Sequence, residues 1–380
     1  MRIGRVIVAC ALGLGVAVGV ISTAALAEAP LDRPAVDTLM LDLIATHNVP
    51  GAALALIKRG EVVLEKSYGF RHLATRAPVT AQTLFNIGSI SKSFTALGIA
   101  QLVDHHKLDL DAPVIGYAPD LRLSDPQVTR KVTLRQLLSH TSGLPADEQW
   151  PSQVAASRLG IIREFATMPI TAQPGTRFQY CSRCIVLAAY VLECISGQTW
   201  ETYTQTQILA PLGMTAASFG PSGLERTTDA AQPYQHDSAV GHVQVPWKRL
   251  AYLDPLGPAG AIDASIADLT RYALFELGDG TIFGRRVLSA PMMAELHRPE
   301  IAVGPGWTSL RFDDLHYALG WFTAEYRGVR LIYHNGANPG FRAAIVLVPS
   351  TKAGVVLLAN SDSSQFTSAA TLRLLEQLLR

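Results

Sequence analysis

The two ends of this 380-residue chain carry strand patterns and its middle carries helical ones, and that arrangement restricts the fold more than any single residue does. Near the N-terminus, 52–57 and 62–68 lie on either side of Lys58-Arg59-Gly60-Glu61, the pattern of a hairpin. Beyond residue 315, runs at 317–326, 329–333, 343–348 and 354–359 are punctuated by Arg327-Gly328 and Pro349-Ser350. Apolar runs bounded by turns suit central strands of an antiparallel sheet. Helices are predicted outside both sets of strands. Val36, Leu39, Met40, Leu43 and Ile44 form the stripe of an amphipathic helix ending before Pro50, and Leu372, Leu375 and Leu379 lie on one stripe of a helix over 368–379. From about 100 to 300 the period is mostly helical, with helices expected over 132–139, 183–196 and 268–277; 220–260 shows no clear period. The expected fold class is α/β in the α+β sense: an antiparallel sheet flanked by N- and C-terminal helices, with a mostly helical inserted domain. The expected boundaries are 1–27 for a leader, 32–85 plus 301–380 for the sheet domain, and 86–300 for the insert.

Arg2 and Arg5 precede an apolar run from Val6 to about Ala25, and Ala25-Leu26-Ala27 places small residues where a signal peptidase reads. Export to the periplasm or medium is expected, with residues 1–27 cleaved; an uncleaved membrane anchor is the alternative. With 32 basic and 31 acidic residues the net charge is +1, and removing the two leader arginines gives 1 − 2 = −1. No basic stripe interleaved with aromatics points to nucleic acid. Beyond the leader the cysteines are Cys181, Cys184 and Cys194. The last two would lie ~15 Å apart on one helix and cannot be bridged. A Cys181–Cys184 bond is conceivable in an oxidising compartment, but buried free thiols are the expectation. Asp104-His105-His106 and Asp109-x-Asp111 read as a solvated helix end and a turn, so neither metal nor cofactor is expected.

The chemistry centres on Phe85-Asn86-Ile87-Gly88-Ser89-Ile90-Ser91-Lys92. If a helix starts near Ser89, Ser89 and Lys92 share one face, because a helix turns every ~3.6 residues. A serine hydroxyl needs a neighbouring base to become a nucleophile, and lysine serves once burial lowers its pKa from ~10.4. A bare S-x-x-K arises by chance on the order of once in a chain this long, so the other pieces matter. Tyr180, in Pro174-Gly175-x-x-Phe178-x-Tyr180-Cys181-Ser182 before a strong helix, can present a phenol to a cleft. Its pKa can fall beside a cationic amine. Ser182 by itself reads as an N-cap. His334-Asn335-Gly336-Ala337 follows a predicted strand end. There Gly336 permits close backbone approach, the N–H of Ala337 can join that of Ser89 as an oxyanion donor, and His334 can bias proton transfer.

These three pieces, in this order, resemble the serine β-lactamase and penicillin-binding protein superfamily. The resemblance is to the branch with class C β-lactamases, D-alanyl-D-alanine carboxypeptidases, D-aminopeptidases and related esterases. Leu137-Leu138-Ser139-His140-Thr141-Ser142-Gly143-Leu144-Pro145, Pro211-Leu212-Gly213-Met214 and Pro258-Ala259-Gly260 add to it. The resemblance implies Ser89 as the acylated nucleophile, Lys92 as its proton partner and Tyr180 as the general base that later protonates the leaving group. His334 and Gly336 would form the third motif, and Ser89 and Ala337 the oxyanion hole. Two departures weaken the case for an efficient β-lactamase. Ser182 stands where an asparagine usually holds the substrate amide, and His334 replaces a lysine that would receive a carboxylate. The expectation is an exported serine hydrolase acting through an acyl-enzyme on an ester, amide or peptide, with a small-molecule or peptide substrate, no nucleic acid, and membrane anchoring only if the leader is uncleaved. A carboxypeptidase, a β-lactamase, a penicillin-binding receptor and a non-catalytic binding protein are the alternatives.

Overall fold

A computed structural model describes residues 31–379 apart from 150–155, 305, 308, 309 and 311. The leader expected over 1–27 lies outside the described residues. Nine strands build one sheet: β1 (Gly51–Lys58), β2 (Glu61–His72), β3 (Ala77–Pro78), β4 (Ile301–Ala302), β5 (Asp313–Tyr317), β6 (Phe322–Tyr326), β7 (Val329–Asn338), β8 (Phe341–Val348) and β9 (Ala353–Ala359). Their order is β4-β5-β6-β7-β8-β9-β1-β2-β3, with antiparallel pairing throughout. Ala52 pairs with Ala359 and Ile57 with Gly354, so β1 docks on β9 and the distant ends of the chain share one sheet. The helices that matter for the site are α1 (Arg33–Thr46), α2 (Ser91–Asp104), α3 (Ser182–Ser196), α4 (Ile266–Glu276) and α5 (Ser364–Leu378).

The central strands are apolar on both faces because both faces are covered. Ala52, Leu54 and Leu56 of β1, with Val355 and Leu357 of β9, pack on Val36 and Met40 of α1 and on Phe366, Ala370 and Leu374 of α5. Their sequence neighbours Ala53, Ala55, Ile57, Val356 and Leu358 point the other way, into a core shared with Phe94 and Leu97 of α2 and Leu269 and Tyr272 of α4. Side chains alternate along a strand, so a strand between two layers needs apolar residues at every position. Helix α2 is buried from Ser91 to Leu102, and the hydroxyls of its first turns are satisfied internally. The Ser93 hydroxyl donates to Ile90 O at 2.7 Å, that of Thr95 donates to Pro258 O at 2.7 Å, and that of Ser91 accepts from Ile262 N at 3.0 Å. This polar lacing holds the turn that carries Ser89 inside an apolar core.

Several expectations change in detail. The run 317–326 takes in only the last residue of β5, then a turn in which Ala318 N donates to Trp321 O at 2.7 Å, then β6. Strand β7 continues past residue 333 to Asn338, because β8 pairs with it from Ile332 to Asn338. The segment without a period holds the hairpin Tyr234–Asp237 with Gly241–Gln244 and a 3₁₀ turn over Trp247–Leu253. Cys181 and Cys184 form a disulfide, with Cα atoms 5.3 Å apart, and Cys194 is an exposed free thiol; the expected buried free thiols are therefore corrected. The non-helical backbone of Cys181 makes it the N-cap of α3, which brings its side chain over the first turn and leaves Ser182 as the first helical residue. Asp104 accepts from Ser289 and Asp111 pairs with Arg135, ordinary structural uses of those carboxylates.

Candidate active site

Ser89 sits in a 3₁₀ turn, Gly88–Ile90, that runs directly into α2. Gly88 has φ +53, and a Cβ there would lie 2.5 Å from Ala337 N; a Cβ on Gly336 would lie 1.9 Å from Ile87 O. Two glycines thus let the Ser89 turn and the end of β7 touch backbone to backbone. Strand β6 pairs with β7 only from Val329 to Tyr333, so among the described residues those from His334 onward have an edge without a partner strand on that side. That edge carries Gly336 and the exposed Ala337 beside Ser89. A buried network locks the contact. Gly88 N donates to Asn86 Oδ1 at 3.1 Å, Asn86 Nδ2 donates to Asp263 Oδ1 at 2.9 Å, and Asn338 Nδ2 donates to Asn86 Oδ1 and to Gly260 O. Tyr252 O–H donates to Asn338 Oδ1 at 2.7 Å. Burial keeps the Asp263 carboxyl far above its usual range.

Lys92 is 1% exposed, and its Nζ is 2.9 Å from both Ser89 Oγ and Ala259 O. Burial pulls its pKa down to about 8, while the Asp147 carboxylate opposes the fall. The amine also lies 4.8 Å from the centre of the Tyr180 ring. The Tyr180 phenol shares a hydrogen bond with Ser89, which favours ionisation, but burial outweighs it and the pKa rises above the ordinary tyrosine value. The lowered pKa anticipated from a nearby amine is therefore reversed: desolvation disfavours the phenolate more than the neighbours favour it. At neutral pH Tyr180 is a phenol, a proton donor.

His334 faces the same group, its ring 6.5 Å from that of Tyr180. Its Nε2 is 3.1 Å from the Tyr317 hydroxyl and its Nδ1 is 2.8 Å from Asn335 O. A single proton on Nδ1 satisfies both contacts, with Tyr317 O–H donating to Nε2. Burial, then the charge of Lys92, lower its pKa to about 3. His334 is neutral, sits within β7 rather than past a strand end, and orients Tyr317. Ser182 is half-buried and meets the site through its backbone, N–H donating to Asp147 Oδ1 at 2.8 Å.

Sequence reasoning gave no role to His140. It is fully buried with its ring 4.5 Å from Tyr180 and 4.7 Å from Tyr317, and its Nδ1 accepts from Cys181 N at 3.1 Å. Burial and the neighbouring Lys92 hold it well below the usual histidine pKa, hence neutral. It forms the wall against which the phenol stands. Asn338, Asp263 and Asp147 were also missed, because they come from loops and strand ends whose sequence has no period. The position of His140 inside Leu137–Pro145 was the one available signal.

A hydroxyl, an amine whose proton leaves near pH 8, a phenol and two backbone N–H groups around one cleft can carry out acyl transfer. The beta-lactamase family model matches residues 36–379. Penicillin-binding protein 4 of Amycolatopsis lactamdurans is 30% identical over 319 residues, covering 83% of this chain and 81% of that protein. The unguisins hydrolase ungD of Aspergillus violaceofuscus is 28% identical over 336 residues, covering 82% of this chain but 58% of its own length. Among solved structures, the octameric penicillin-binding protein homologue from Pyrococcus abyssi superposes with a TM-score of 0.79 at 28% identity, covering 92% of this chain and 78% of that one. SurE gives 0.75 at 27% identity, covering 91% and 76%. The match over almost the whole described chain and the shared fold have one conclusion: this protein belongs to the beta-lactamase family.

Proposed function

We propose that this protein is an exported serine hydrolase that cleaves an ester, amide or peptide through an acyl-enzyme on Ser89. The observation that carries the reading is the 2.9 Å contact between Ser89 Oγ and a buried Lys92 whose pKa has fallen to about 8. In the reactive form Lys92 is a neutral amine and takes the Ser89 proton as the hydroxyl attacks the carbonyl carbon. The N–H groups of Ser89 and Ala337 receive the developing oxyanion. Tyr180, kept protonated by burial, gives its proton to the leaving group and regains one from the Lys92 ammonium. Water then attacks the acyl-enzyme with the same groups acting in reverse. No step calls for a metal or cofactor.

A panel of p-nitrophenyl esters, D-alanyl dipeptides and a chromogenic cephalosporin tests this, run on wild type and Ser89→Ala. Turnover that disappears in Ser89→Ala is the expected result. A fluorophosphonate or penicillin that labels Ser89 without turnover would instead indicate a receptor, the reading that Ser182 in place of the family's asparagine favours. Failure of both turnover and labelling would leave only a binding fold. Export rests on the leader, and the mass of the secreted protein tests it: cleavage after Ala27 leaves Glu28 as the first residue.

A further inference from the structure

The hydrolase reading leaves open which substrates the cleft accepts, and the charges around Ser89 bear on that. The first turn of α3 supplies a short hydroxyl at Ser182, and Asp147 occupies the adjoining wall. Asp147 N donates to Tyr180 O at 2.8 Å and Asp147 Oδ1 accepts from Ser182 N at 2.8 Å, so two bonds fix Asp147 against the backbone of Tyr180 and Ser182. Asp147 is half-buried. Among the described residues no lysine or arginine forms an ion pair with it, and Arg183, next to Ser182, is committed to Glu164. Its charge is felt at both Lys92 and Tyr180.

Among the described residues the histidines of the opposite wall supply no balancing cation, and Arg342, the cross-strand partner of Ala337, donates to Asn338 O at 3.1 Å and Phe341 O at 2.8 Å on the β8 side. Both nitrogens of His334 are occupied by Tyr317 and Asn335 in the neutral form, and the nitrogen of His140 that faces a partner accepts from Cys181 N. Lys92 is the one cation of the cluster described above, and it must be neutral to accept the Ser89 proton. In the reactive form Asp147 is therefore the uncompensated charge of this cluster. A carboxylate already bonded to one backbone N–H keeps lone pairs for a further donor.

We infer that Asp147 selects substrates by charge: the cleft prefers esters and amides that carry an ammonium group close to the scissile carbonyl and disfavours those that carry a carboxylate. This rests on the hydrolase reading and narrows it. A charge pair partly open to water is worth roughly a tenfold preference in kcat/KM.

The experiment compares charged and neutral isosteres in wild type, Ser89→Ala and Asp147→Asn. The first pair is the p-nitrophenyl ester of glycine against that of propionic acid, with the ammonium on the acyl side. The second is acetylthiocholine against its carbon isostere with tert-butyl in place of trimethylammonium, with the charge on the leaving side. The asparagine amide oxygen can still accept from Ser182 N, so the wall is retained. The cationic member of at least one pair should be favoured about tenfold by wild type, with the preference gone in Asp147→Asn; each ratio divides out any change in Lys92. Equal ratios in wild type and Asp147→Asn, or a wild-type preference for the neutral members, would overturn the inference. Labelling rates of Ser89 by a cationic and a neutral fluorophosphonate keep the two readings apart. Labelling without turnover defeats the hydrolase, and the ratio of the two labelling rates still decides the charge preference.

Discussion

At the scale of single residues, the decisive quantity is the protonation state of Lys92. A buried amine lowered to about 8 is mostly charged at neutral pH and becomes a base only as pH rises. The activity of the proposed hydrolase on a neutral ester should therefore climb with pH. The rise in kcat/KM should be about tenfold per unit below roughly pH 8 and level off above it. Stopped-time assays with p-nitrophenyl propionate, corrected for spontaneous hydrolysis, measure it. A limb centred on the ordinary histidine value would transfer the base role to His334 or His140. Ser89, Lys92 and Tyr180 were legible because each sits in a short motif with a chemical reason for its spacing. His140 and Asp147 were not. What gives them a place is packing against Tyr180 and bonding to its backbone, and such contacts leave no local pattern. The direction of the Tyr180 shift was likewise decided by burial, which a sequence does not display.

Among the elements, the contact between the Ser89 turn and β7 does the positioning, and two glycines make it. A methyl group at 336 would meet Ile87 O at 1.9 Å, a clash with backbone that no rotamer relieves. Gly336→Ala should therefore push β7 away from Gly88 and withdraw the Ala337 N–H from the oxyanion position. Loss of one such donor lowers kcat on the order of a hundredfold or more. The pairing of β7 with β8 and the cores on either side should hold, so far-ultraviolet circular dichroism should match wild type. Unaltered kcat in a folded Gly336→Ala would remove Ala337 from the oxyanion hole. The sequence made the hairpin β1–β2, the runs β8 and β9 and the terminal helices readable, since turn residues and periodicity mark them. It did not show that β7 reaches Asn338, because that extension is stabilised by pairing with β8. Nor did it show that 317–326 folds back on itself through the Ala318–Trp321 bond. The Cys181–Cys184 disulfide escaped for a related reason: it depends on Cys181 leaving the helical path to cap α3.

In the whole molecule, the interior stores neutral histidines that acid must charge. His334 falls from its ordinary value of 6.5 to about 3, and His140 falls well below 6.5, both through burial first and the Lys92 charge second. The unfolded chain takes up these protons near pH 6.5 and the folded chain does not, so stability is full above that pH and declines as pH drops toward about 3. At about pH 4.5, roughly two units below the unfolded value, His334 alone withdraws roughly 2–3 kcal/mol. The salt-bridged carboxylates Asp37, Asp111 and Glu295, held below their usual range mainly by Lys66, Arg135 and Arg298, add a loss of the same sign at lower pH. Asp263 acts oppositely: its carboxyl is raised by burial, so its share of stability is present in acid and is lost as pH rises. The histidine contribution can be isolated with His334→Gln, whose amide oxygen can accept from Tyr317 but takes up no proton. Urea midpoints of both proteins measured from about pH 7 down to about pH 4.5 should converge, with wild type losing the larger amount. Parallel curves would mean that His334 takes up its proton without unfolding, and would return the neutral imidazole beside Lys92 to the list of groups that change charge during the reaction.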